Sequence, residues 1–315
     1  MERLYILYSA AAAAATVLLL AARLAAGLRA RRRRSRDAVL GSRYLHILML
    51  ALAAGDGKAP RFPLIRRSGA RLLLAETLAG VVSATYGLDS EPLRRIVAAY
   101  RLDTWLLRRV ARSSGYRRAR YLWLLAGLPA SAEVAARCAR YRASRNRCVR
   151  FCALMTRLAA DPSTALRLMA DHTDPFSAGE VAEIMTLLRR GMLPIAYEPL
   201  VESPVRNLRM VGLSIVRQFG IEEAEAHLLR IVEQDEAPEL GREALYTLCS
   251  LRRPLARREV AERLRRMEAP ERKALMRYMA REGYSPAALH KLFGERERPY
   301  YESLVKSYKR CLACR

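Results

Sequence analysis

The sequence predicts an all-α fold, an α-solenoid of stacked helix pairs preceded by one N-terminal transmembrane helix. Small residues recur at Ala153, Ala182, Gly212, Ala244 and Ala274, at spacings of 29, 30, 32 and 30 residues. Each lies in a segment whose apolar residues are three and four positions apart, the period of a helix in a repeat array. The 315 residues are 52% hydrophobic and 28% charged. This composition predicts a folded chain with one or two cores.

The first element is an uncharged run of 19 residues at positions 4–22. A helix of that length crosses about 30 Å of hydrocarbon, and we assign a transmembrane anchor to residues 1–28. A cleaved signal peptide is an alternative, but its positive charge would precede the apolar run. A peripheral amphipathic helix is a second alternative, but this run has no polar face.

A polybasic juxtamembrane segment follows at residues 29–36. By the positive-inside bias, it predicts an N-terminus outside the membrane and a repeat array on the cytoplasmic side. Anionic lipid headgroups are the expected partners of these side chains. The candidate membrane-facing residues are Arg29, Arg31, Arg32, Arg33, Arg34 and Arg36.

Residues 37–115 predict an irregular helical start of the array. Two apolar stretches, at 44–54 and 71–84, are too short for a membrane span or contain a glutamate, and we expect them in the core. The expected helices lie near 36–54, 63–85, 91–100 and 102–113.

Residues 116–298 contain the clearest repeats, VRFCALMTRL at 149–158, LRMVGLSIVRQF at 208–219 and LGREALYTLCSL at 240–251. These segments resemble HEAT repeats of the armadillo-like superfamily, whose first helix carries a VRxxAxxxL-like pattern. The resemblance implies antiparallel helix pairs with the second helices along a concave face, and it extends loosely to 37–115. Residues 299–315 are expected to form a C-terminal capping helix and tail.

Capping residues predict where helices start. Ser131 precedes one apolar run, and Asp161 and Ser285 each precede a proline at a first helical position. Ser177 and Glu180 form a capping-box pattern. The recurring small residues are expected where neighbouring helices cross closely, because a bulky side chain would separate them.

We find no motif of a catalytic, cofactor-binding or metal site, and we expect no enzyme, no cofactor and no metal. His172 lies between Asp171 and Asp174, which admits metal binding, but DHTDP also reads as an inter-helix turn. We interpret it as the turn.

The six cysteines divide into two groups. Cys138, Cys152 and Cys249 lie within helical apolar patterns and are expected to be buried thiols. Cys311 and Cys314 form a CLAC sequence without a second CxxC, so a zinc or redox site there is a weak alternative.

The net charge of +25 is concentrated before residue 161. Residues 37–160 carry 22 Lys/Arg against seven Asp/Glu, whereas 161–315 carry 26 against 23. A basic surface interleaved with aromatic residues is a candidate partner site, and a solvated outer face is the structural alternative. Its residues are Arg108, Arg109, Arg112, Arg117, Arg118, Arg137, Arg140 and Tyr141.

The leading functional hypothesis is a membrane-tethered scaffold or adaptor that binds a protein partner, for example another membrane protein, without catalysis of its own. The alternative is nucleic-acid binding through the basic half, since HEAT-like folds include DNA glycosylases. HEAT-like bilin lyases are a third class, which no residue here supports.

Overall fold

The computed structural model describes residues 2–54, 59–85, 90–129, 131–190, 196–234 and 237–313, and side chains except at 2–18, 28–30, 32–33, 90, 190 and 311–313. All regular elements in these ranges are helices, so the prediction of an all-α fold is confirmed. The loop expected at 55–60 is described only at 59–60.

The chain forms two compact units, Met1–Arg137 and Cys138–Arg315. The first unit contains α1 (Glu2–Ala54), α2 (Ser68–Ala84), α3 (Ser90–Ala99), α4 (Leu102–Arg112) and α5 (Gly115–Gly127), and α6 (Ala132–Ala139) crosses the boundary.

Helix α1 is continuous over 53 residues. The apolar run at 4–22, the polybasic segment and the apolar stretch at 44–54 therefore share one helix, which is about 80 Å long at 1.5 Å per residue. The helix expected near 36–54 is the last part of α1. The helices expected near 91–100 and 102–113 correspond to α3 and α4 to within one residue, whereas the helix expected near 63–85 begins only at Ser68, as α2.

The first unit packs around α2, which contacts both α1 and α5. Tyr44 and Leu48 of α1 are fully buried. The crossing of α2 and α5 is close, since a Cβ on Gly127 would lie 2.6 Å from that of Ala79. Residue 127 must therefore be glycine for the two helices to pack as they do.

The second unit alternates long and short helices. The long helices are α7 (Arg147–Ala160), α9 (Ala178–Arg190), α11 (Arg206–Phe219), α13 (Pro238–Ser250), α15 (Ala269–Arg281) and α17 (Arg298–Ala313). The short helices are α8 (Ala165–Ala170), α10 (Glu198–Val201), α12 (Glu225–Glu233), α14 (Arg258–Arg266) and α16 (Pro286–Leu289). Each long helix contacts the next long helix along the chain, and α12 contacts α14.

Some of the recurring small residues lie at helix contacts, and others do not. A Cβ on Gly212 would be 2.9 Å from Leu200 and Val201 of α10, so α10 and α11 require glycine there. Ala153 and Ala244 are buried, and Ala274 is half-buried. Ala182 is exposed, because the buried face of α9 is formed by neighbouring positions such as Val181 and Met185. The expected crossing residue is therefore absent from this repeat.

The predicted capping interactions are present. The backbone N–H of Ser177 donates to Glu180 at 2.8 Å, and that of Glu180 donates to the Ser177 hydroxyl at 3.3 Å. The hydroxyls of Ser131 and Ser285 accept from the N–H groups of Val134 and Ala288. Helix α16 after Ser285 spans only four residues.

Helix α17 begins one residue before the predicted capping segment. Tyr301 and Val305 are buried on its inward stripe. The Tyr301 hydroxyl donates to the carbonyl of Tyr284 at 2.9 Å and ties this helix to the turn after α15. Among its described residues, α17 therefore closes the second unit against α15.

Candidate partner-binding surfaces

The N-terminal helix carries one candidate membrane span among the described residues, at Arg34–Ala54. Tyr44 and Leu48 bury one face of that stretch, while Val39, Leu45 and Leu50 are exposed. One face of this stretch therefore packs in the core of the first unit, and the opposite face is an exposed apolar surface. The predicted anchor at 4–22 lies mostly outside the described side chains.

The polybasic segment is described only in part. The side chains of Arg31, Arg34 and Arg36 are exposed, whereas those of Arg29, Arg32 and Arg33 lie outside the description. Exposure of cationic side chains along a helix that carries an apolar run is what contact with headgroups requires.

The basic surface predicted in the first unit centres on the corner between α4 and α5. Arg108 and Arg112, one turn apart on α4, and Arg117 of α5 are exposed. Tyr116 between them is 78% exposed. Gly115 makes the corner possible with a left-handed φ of 51°. Within the described part of the chain, no carboxylate pairs with these three arginines.

Two predicted surface residues are used inside the first unit instead. Arg109 donates to the Ser68 hydroxyl at 2.5 Å and stacks on Trp105 with its guanidinium carbon 5.3 Å from the ring centre. Arg118 donates to the carbonyl of Val110 at 3.2 Å. Both bonds join elements, so these side chains hold the corner in place.

The remaining predicted residues lie at the end of the first unit and the start of the second. Arg137 pairs with Glu133 at 2.9 Å along α6. Arg140 stacks on Tyr141 and donates to its hydroxyl at 2.7 Å. Tyr141 is buried. We therefore treat the predicted surface as two parts, and only the corner of α4 and α5 is an exposed cluster.

A turn occupies residues 61–67, where the sequence predicted a helix from about residue 63. Leu64 is 53% exposed and has a left-handed φ of 58°, a conformation rare for a side chain of this kind. The Tyr44 hydroxyl donates to the carbonyl of Pro63 at 2.5 Å, and the Tyr100 hydroxyl to that of Pro60 at 2.5 Å. The same turn contains three exposed arginines, Arg61, Arg66 and Arg67. The only sequence signal is RFPLIRR, an apolar pair between basic residues.

Ion pairs in the second unit connect successive long helices. Arg147 pairs with Glu180 at 2.6 Å, Arg217 with Glu243 at 3.1 Å and Arg242 with Glu271 at 3.1 Å. Burial raises the pKa of Glu180, but hydrogen bonds from Ser177 and Arg147 outweigh it and hold that pKa below its usual value. These three arginines are therefore engaged within the fold.

The DHTDP segment is an inter-helix turn, as we interpreted it. Asp174 accepts two bonds from Arg150, each 2.6 Å long, and these bonds lower the pKa of Asp174. His172 stacks on Phe176 at 5.2 Å between ring centres, and its burial lowers its pKa. The described residues contain no group of three or more side chains suited to a metal ion.

The prediction that three of the cysteines are buried is confirmed. Cys138, Cys152 and Cys249 are buried. Burial raises the pKa of Cys138 to about 11 and that of Cys152 to about 12. These thiols are protonated and unreactive at neutral pH. Cys311 and Cys314 lie outside the described side chains.

No family model matches the chain, and the comparisons with curated proteins and with solved structures find no match.

Proposed function

We propose that this protein is a membrane-tethered scaffold whose helical array binds a protein partner beside the cytoplasmic face of a membrane. The observation that carries the proposal is the continuity of α1 from Glu2 to Ala54. A helix without a break transmits position and orientation, so an anchor in its first part would hold the packed unit at a fixed height.

The anchor proposed is the apolar run at 4–22, with the N-terminus outside. From Ala22 to Tyr44, where α1 packs on the first unit, the helix rises about 33 Å. Arg31, Arg34 and Arg36 lie along this rise and are exposed, in reach of anionic headgroups. The corner of α4 and α5 belongs to the same packed unit, and its side chains Arg108, Arg112 and Arg117 are exposed to a partner.

The second unit is proposed to be a HEAT-like solenoid. Its support is the alternation of long and short helices, the contacts between successive long helices, and ion pairs about one repeat apart. Arrays of this kind bind extended partners along a face.

The corner of α4 and α5 favours an acidic partner surface. Three arginines without counter-charges attract anions, and an exposed tyrosine supplies the amphipathic area typical of interface centres. The same chemistry suits a nucleic-acid backbone with a stacked base, which keeps nucleic-acid binding as the second candidate.

In-cell photocrosslinking separates these candidates. The full chain would carry p-benzoylphenylalanine in place of Tyr116, with the same substitution at Ala98, which is exposed on α3 of the first unit, as the control. We expect a protein adduct from position 116 that is absent from position 98 and is lost with R108E/R112E/R117E. A nuclease-sensitive adduct would establish the alternative, and identical adducts from both positions would remove the corner as a partner site.

A further inference from the structure

A cavity of about 490 Å³ lies wholly within the second unit, between α7, α8 and the turns that flank them. Its floor is apolar, formed by Ala153, Leu154 and Leu168, which are all buried. Its walls carry Arg142, Arg150 and Arg157. The volume is within the range of cavities that hold small molecules or single side chains of a partner.

The three arginines of the cavity are not equivalent. Arg150 is held by both oxygens of Asp174 and also donates to the carbonyl of Ser144 at 2.5 Å. Its charge is therefore neutralised by a neighbour. Arg142 and Arg157 have no carboxylate partner within 4.0 Å in the part of the chain that the structure describes. Their guanidinium groups remain available to a ligand.

We infer that this cavity binds a monoanionic carboxylate attached to an apolar body, held by Arg142 and Arg157 over the floor of Ala153, Leu154 and Leu168. A guanidinium donates two parallel N–H bonds to a carboxylate, so this pair of side chains suits that group. Burial of a hydrocarbon body against the apolar floor contributes binding free energy, whereas an inorganic anion has no apolar surface to bury there.

The rim selects for a single negative charge. Asp171 lines the same cavity and is exposed, so it repels a dianion such as phosphate more strongly than a carboxylate. His172, on the wall, is largely neutral at pH 7 because burial lowers its pKa. The two arginines against one aspartate leave room for one additional negative charge.

This site goes beyond the proposed scaffold function, because the cavity belongs to the second unit and its chemistry requires no membrane. The carboxylate has two possible sources, a free carboxylic acid or an acidic side chain between apolar residues of a bound peptide. Both present the same group to the arginines, and they differ in what extends from it.

Binding to the full-length chain in detergent, measured by ligand-observed NMR with a micelle blank subtracted, tests the inference. The probes are 3-phenylpropionate, its uncharged amide, inorganic phosphate, and the blocked peptide acetyl-Leu-Asp-Phe-amide. We expect the carboxylates to bind more tightly than the amide and than phosphate. The tighter of the two carboxylate probes identifies the source.

Variants then locate the binding. We expect Arg142→Ala and Arg157→Ala each to weaken carboxylate binding about tenfold, as loss of a charge-assisted bond does. Arg145→Ala is the matched control, because Arg145 is exposed in the same unit but does not line the cavity. Circular dichroism would verify the folding of each variant. Equal binding of acid and amide, or unchanged binding in both cavity variants, would overturn the inference.

Discussion

The ion pairs of the second unit contrast with the exposed arginines at the corner of α4 and α5 in the first unit. In the second unit, Arg147, Arg217 and Arg242 pair with carboxylates on the next long helix along the chain. In the first, Arg108, Arg112 and Arg117 face solvent without such partners. These three pairs of the second unit join successive long helices, whereas the three arginines at the corner of α4 and α5 are available for other molecules. Net charge therefore indicates a binding surface only after the internal pairs are known.

The tightest contact of the second unit gives the largest expected effect. Gly212→Leu would drive a side chain into α10, where a Cβ alone would lie 2.9 Å from Leu200 and Val201. We expect a loss of about 3 kcal/mol in the free energy of unfolding, measured by urea denaturation followed by circular dichroism. Ala182→Leu is the matched control from the same repeat position and should change stability by less than about 0.5 kcal/mol, because Ala182 is exposed. Equal effects would mean that the small-residue contacts do not hold the repeats together.

The next largest loss of stability is expected from the buried side-chain amide of Asn207 in the second unit. Asn207 is only 5% exposed. It accepts from the N–H of Phe176 at 2.9 Å and donates to the carbonyls of His172 and Asp174 at 3.2 and 3.0 Å. Asn207→Ala would leave these groups unpaired at a cost of about 2 kcal/mol in unfolding free energy. Asn146→Ala, which removes an exposed helix cap, should cost about 1 kcal/mol. A smaller loss for Asn207→Ala than for Asn146→Ala would show that water replaces the amide.

The corresponding test in the first unit is Tyr44→Phe. It removes the bond to the carbonyl of Pro63 and should destabilise that unit by about 1 kcal/mol. Tyr116→Phe, at an exposed position, is the control. Hydrogen exchange of amides in α2 would report the change locally. No change in exchange would mean that α1 is only loosely attached to the first unit.

The smallest expected effect is a pH dependence confined to the second unit. Because the pKa of His172 in the folded chain is below its ordinary value of 6.5, the unfolded chain binds a proton more readily. The stability that depends on neutral His172 is thus complete above pH 6.5 and decreases as the pH falls towards the lowered pKa. Urea denaturation at pH 7.5 and 5.5 should show a smaller difference for His172→Gln than for the natural chain. A larger difference in the variant would contradict this assignment.

Local features of the fold were predictable from the sequence, and long-range ones were not. The capping box of Ser177 and Glu180 joins residues three positions apart, so its pattern nearly determines its geometry. The role of Asn207 depends on the carbonyl groups of His172 and Asp174, which packing alone brings to it. Ala182 matches the repeat spacing, but α9 buries neighbouring positions instead. Spacing along the sequence therefore does not specify which face of a helix is buried.

The predicted basic surface shows the same difference between local features, which the sequence predicts, and long-range contacts, which it does not. The sequence identified the arginines of α4 and α5, because clustered charge is visible without a structure. It did not separate Arg109 and Arg118, which bond across the fold, from the exposed Arg108 and Arg112. The cavity of the second unit had no sequence signal, because its lining residues come from segments that only folding brings together.

The most direct test of a tethered scaffold is fractionation of cells that express the full chain, followed by high-salt and carbonate washing. Two variants locate the anchor, L19R/L20R in the first apolar run and L45R/L50R on the exposed face of the candidate span at Arg34–Ala54. The account predicts that the natural chain and L45R/L50R remain in the membrane fraction, whereas L19R/L20R becomes soluble. A natural chain that is washed off, or release of L45R/L50R alone, would contradict an anchor at 4–22 and with it the proposed tether.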